Sequence, residues 1–120
     1  MNGQQEIINF DYINTIGQNN NDFLLKMINT FLDQCPTILA ELEEAVLSED
    51  WEKTVNLAHR FVPSVGLMGM DDVAIDLKQL ENNAKNRMHL DQSMDLFLPI
   101  KQTCIQAIEE LETKKKLFLI

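Results

Sequence analysis

The chain has 120 residues and 45% hydrophobic content, which suits one domain over residues 1–120 with a core that needs no disulfide or metal staple. A formal net charge of −9 argues against a nucleic-acid partner, since phosphate-backbone binding rests on clustered Lys and Arg; the one basic run, Lys114-Lys115-Lys116, suits the negative end of a helix dipole instead. No run approaches the ~20 apolar residues of a membrane span, the first residues lack the pattern of a signal peptide, and the two cysteines lie far apart, so a cytoplasmic, reduced protein with no membrane contact is expected.

Ile7, Ile8, Phe10, Ile13 and Ile16 predict a short N-terminal helix that stops at Gly17, a residue free to take the left-handed cap conformation. The polar run from Gln18 to Asp22 reads as a turn ending in an N-cap, with the next helix starting at Phe23. From there Leu24, Ile28, Phe31, Cys35, Ile38, Leu42 and Ala45 step by four and three, the signature of a bundle seam. The seam keeps phase across Pro36, so a kink is expected there rather than a break. Asp50 is the N-cap of a third helix, which Gly69 closes. Its core stripe is Ala58, Phe61, Val65 and Met68, and the neighbouring stripe of His59, Val62, Pro63 and Gly66 should point outward. Because the core phase holds beyond Pro63, this helix should run through the proline and bend.

Asp71-Asp72 open a fourth helix with the apolar face Val73, Ala74, Leu77, Leu80 and Ala84; residues 86–91 form a connector. The last helix carries Phe97, Ile100, Cys104, Ile108 and Leu111, with Pro99 either in its first turn or at a kink. No alternating strand pattern occurs. The expected fold is all-α: an antiparallel four-helix bundle with short loops and a short additional N-terminal helix.

The chemistry narrows by exclusion. A Gly-rich phosphate loop is missing, so an ATP-using kinase is not expected. Asn56 and Asn86 stand three residues before His59 and His89, where a di-iron bundle would carry Glu, and the Cys and His residues do not cluster, so no metal site is predicted. His89, in the polar connector, reads as solvated. His59 differs in being set on an outward helix face, and an ordinary exposed imidazole is largely neutral at pH 7 and able to attack an electrophile.

Asp50-Trp51, Leu57-Ala58-His59-Arg60-Phe61, Ser64, Gly69 and Leu80-Glu81 follow one another across two helices. Phe31-Leu32, Pro36 and Leu39-Ala40-Glu41-Leu42-Glu43-Glu44-Ala45 precede them on another. The ordered set resembles the histidine-containing phosphotransfer (HPt) domain of bacterial multistep phosphorelays over about residues 10–111. That resemblance implies a phosphoryl carrier rather than a stand-alone catalyst. His59 would accept a phosphoryl group from an aspartyl phosphate on a receiver domain and pass it to another. The partners would be a response-regulator receiver and a hybrid histidine kinase; the chain itself would be a monomer without a cofactor, Mg²⁺ being expected on the receiver. Glu81 matches the family position that faces the histidine, where a carboxylate accepting the Nδ1 proton would leave Nε2 free to attack.

The chain departs from the family at Val62 and Pro63, which stand where the family usually has Lys and a small residue, often Gly. The lysine normally offers charge to the phosphoryl oxygens, and Arg60 and Lys78 are the candidates to replace it. Val55 and Val62 flank the histidine as a docking patch or as the edge of the core, and Gly66 either admits a partner's backbone or serves packing. An alternative function on the same scaffold is an interaction module that binds a receiver or kinase without being phosphorylated.

Overall fold

The computed structural model describes residues 7–18 and 20–118, and all their regular structure is helical. Helix α1 spans Phe10–Gly17, α2 Asn21–Leu47, α3 Trp51–Leu67 and α4 Asp71–Asn86; a 3-10 turn at Leu90–Gln92 leads into α5, Ser93–Phe118. Among the described residues no helix is long and apolar enough to cross a membrane.

Local chemistry sets the helix ends. The side chain of Asn9 accepts the Tyr12 N–H at 3.0 Å to start α1. Asn20 does the same for α2 by accepting from Phe23 N, so α2 begins at Asn21, two residues before the first apolar position. Gly17 is not the left-handed cap: it is the last helical residue of α1, and Gln18 takes the positive φ of 54°. The glycine serves close approach instead, because a Cβ there would lie 2.5 Å from Leu24 Cδ2 of α2.

Asp50 caps α3 through Oδ1, which accepts from Lys53 N at 3.2 Å. At the other end Gly69 has φ +71°, its N–H donates to the Gly66 carbonyl, and the Met70 N–H reaches back to Val65 O at 3.0 Å. This is a Schellman closure, and Met70 and Val65 are both buried beneath it. Pro36, Pro63 and Pro99 lie inside α2, α3 and α5, all on exposed positions, and none interrupts its helix. Proline facing water loses one helix bond without leaving a buried carbonyl unpaired. Pro99 is the seventh residue of α5, so the first-turn alternative does not apply.

Helix α2 packs against α3 and α5, and α4 packs against the same two, so the four long helices touch in cyclic order around one buried cluster. Phe31 and Phe61 stack across the α2/α3 seam with ring centroids 6.3 Å apart, and Leu77, Leu80, Phe97 and Ile100 fill the opposite half. Cys35 and Cys104 are buried free thiols. Residues 7–9 form a strap over one end of this core. The Glu110 carboxylate of α5 accepts the N–H groups of Ile7 and Ile8 at 2.8–3.0 Å, Asn9 N–H donates to Met68 O in the α3–α4 turn, and Ile8 is buried.

Candidate functional site

Helix α3 holds its histidine outward because the neighbouring positions are claimed by the core. Ala58 and Phe61 are fully buried, whereas the His59 side chain is 76% exposed. Its Nδ1 lies 2.9 Å from Oε2 of Glu81 on α4, whose side chain is 22% exposed. A carboxylate can only accept, so the contact requires a proton on Nδ1 and turns the lone pair to Nε2, the nitrogen left for attack. At this exposure the pair adds little to stability; its effect is to fix the ring's tautomer and direction.

The other predicted residues fall into two groups. Lys78 shares an open concavity on α4 with Glu81, Ile75, Gln79, Asn82 and Lys85. Arg60 lines a different groove, between α2 and α3, together with Asp33, Glu41 and Ser64. Lys78 is therefore on the Glu81 side of the histidine, and Arg60 faces carboxylates on the other. Among the described residues neither cation is in an ion pair, nor is Lys85. Sequence reasoning passed over Lys85, whose signal is its position four residues after Glu81 on the same helix face.

Val55 and Val62 are both half-buried, and Val62 packs against the core, which makes Val62 part of the core's margin rather than a free patch. Pro63 is exposed one turn beyond His59. A Cβ built at Gly66 meets nothing within 4 Å, so packing does not require this glycine. No group of three or more His, Cys, Asp or Glu side chains among the described residues is arranged to hold a metal, and His89 is exposed in the α4–α5 connection.

A family model described as the Hpt domain matches residues 26–114, from the first turns of α2 to the late turns of α5, with His59 and Glu81 inside the match and α1 outside it. No curated protein and no solved structure matches the chain. Matched by the family model over most of its length, and all-helical in its described regular structure, the chain belongs to the Hpt domain family, the histidine phosphotransfer modules of two-component phosphorelay signalling.

Proposed function

We propose that this chain is a phosphorelay carrier in which His59 takes a phosphoryl group from an aspartyl phosphate on a receiver domain and returns it to another receiver. The observation that carries the reading is the exposed His59 ring with Nδ1 on Glu81. In the forward step the Nε2 lone pair attacks phosphorus, the acyl-phosphate P–O bond breaks, and its electrons leave on the receiver's aspartate. The Nδ1 proton stays in place, and the Glu81 carboxylate balances the positive charge the ring acquires. Transfer of this kind depends on in-line placement and charge compensation, so a small domain without its own base is sufficient.

On this reading the chain is one domain over residues 1–120, an antiparallel four-helix bundle acting as a cytoplasmic monomer. It is a carrier and not a stand-alone catalyst. It needs no cofactor, Mg²⁺ being held by the receiver. Pro63 and Gly66 form the approach surface beside His59, bordered by Val62, and a hybrid kinase and a response regulator are its partners. Arg60, which lines a groove with Asp33 and Glu41, is assigned to docking rather than to the phosphoryl group.

Incubation with a phosphorylated receiver should place acid-labile, base-stable label on the protein, and His59→Gln should remove it while leaving helicity intact. Label surviving in His59→Gln would refute the assignment. The second reading, an interaction module that is never phosphorylated, draws on Val62 in place of a lysine; receiver binding without any label would favour it.

A further inference from the structure

On the reading that His59 carries the phosphoryl group, we infer that Lys78 and Lys85 of α4 are the cations that face it, moving to α4 the charge that the family places at the position of Val62. Helices α3 and α4 are joined by only three residues, Met68 to Met70, and pack on each other, so the chain folds back and a step along one helix is matched by a step back along the other. The His59–Glu81 contact fixes which levels coincide. Three residues on from His59 is Val62, and three before Glu81 is Lys78. Four residues before His59 is Val55, and four after Glu81 is Lys85. Each half-buried valine beside the histidine is thus level with an exposed lysine on α4. An aliphatic stem can lie along such a valine while its ammonium group stays in water.

Charge points the same way. Glu81 and both lysines line one open concavity, and Glu81 is engaged by His59 rather than by either lysine. Phosphorylation would set a phosphoryl group of close to two negative charges beside the Glu81 carboxylate, and the single positive charge the ring acquires offsets only part of that, an arrangement that calls for further positive charge nearby. The lysine stems span about one helical turn, roughly 5 Å, which is the axial offset to be bridged on either side of His59. Arg60 lines the acidic groove between α2 and α3 instead.

The test needs no receiver. Phosphoramidate can phosphorylate His59 directly: its P–N bond breaks, ammonia leaves, and the Nε2–P bond forms. The second ionisation of the phosphoryl group is then followed by ³¹P NMR as a function of pH in the wild type, Lys78→Gln/Lys85→Gln, Lys78→Arg/Lys85→Arg and Arg60→Gln. Nearby cations favour the dianion, so the double glutamine variant should titrate about one pH unit higher, the arginine pair should restore the wild-type value, and Arg60→Gln should leave it in place. An unchanged titration in the double glutamine variant, an equal shift in Arg60→Gln, or no uptake of phosphoryl by His59 would overturn the inference. A shift as expected in a protein that no phosphorylated receiver labels would uphold the lysine pair and defeat the relay reading instead.

Discussion

Replacing Gly66 separates what the fold needs from what a partner needs. The residue is helical, one position before the end of α3, and a Cβ there meets nothing within 4 Å. Alanine at a helix interior is better than glycine by about 0.8–1 kcal/mol, and near a terminus held by a Schellman closure about half of that is expected, ~0.5 kcal/mol. For a chain of this size the gain corresponds to a rise of about 2 °C in Tm. The other two helix-end glycines behave oppositely. At Gly17 a Cβ would collide with Leu24, and at Gly69 it would collide with Asn9 on a backbone already at φ +71°, so alanine should destabilise at both. Gly66→Leu should keep the fold but weaken receiver binding by tenfold or more, about 1.4 kcal/mol, because its side chain fills the approach beside His59. Thermal unfolding followed by circular dichroism and calorimetric titration with a receiver measure the two effects. A lower Tm for Gly66→Ala would show that the fold requires this glycine, and wild-type affinity for Gly66→Leu would show that no partner does.

Glu81→Gln should slow transfer to His59 about tenfold, the worth of one charge-assisted hydrogen bond, in rapid-quench kinetics with stability nearly unchanged; an unaltered rate would remove Glu81 from the mechanism. Pro63→Ala restores the amide that can bond the His59 carbonyl and should stabilise the protein by about 1–2 kcal/mol after allowing for the freer unfolded chain, read from urea unfolding; a loss of stability would mean that α3 is built around the proline. The hydrogen bond to Cys35, and then burial, push the Cys104 thiol up, so native Cys104 should alkylate about a hundredfold or more slower than in the unfolded chain at pH 8, as followed by mass spectrometry. Asp76 is held above the ordinary carboxylate range by burial and then by Asp72, so the folded state binds that proton more tightly than the unfolded one. Its favourable contribution exists on the acid side and is lost as pH rises through the folded value; Asp76→Asn should therefore gain on the wild type at neutral pH and lose that advantage near pH 4 in unfolding titrations.

The helices and the outward face of α3 were legible because a repeat near 3.6 residues writes burial directly into the order of apolar and polar residues: Phe31, Phe61 and Phe97 sit where the pattern puts them. The Asp50 cap and the Gly69 closure have local signatures of the same kind. Gly17 misled because a glycine after an apolar run looks the same whether it serves a positive φ or a close helix crossing; only the partner helix decides. Glu81 was reached through family resemblance, since one carboxylate on a helix surface reads like any other until its distance to a histidine 22 residues away is known. The separation of Arg60 from Lys78 follows from how α2, α3 and α4 pack, and no pattern within one helix records that. The strap at residues 7–9 was hidden for the same reason, its partners Met68 and Glu110 lying far along the chain.

That strap gives the two ends of the described chain a common fate. The Ile7 and Ile8 amides are held by a carboxylate 103 and 102 residues away, a long loop to close. Their hydrogen exchange should therefore report a local opening that frees Ile8 and the Met68 carbonyl while the phenylalanine core stays shut. Because Met68 belongs to the turn between the histidine helix and the glutamate helix, the same opening would release one backbone contact at the closed end of the α3–α4 hairpin.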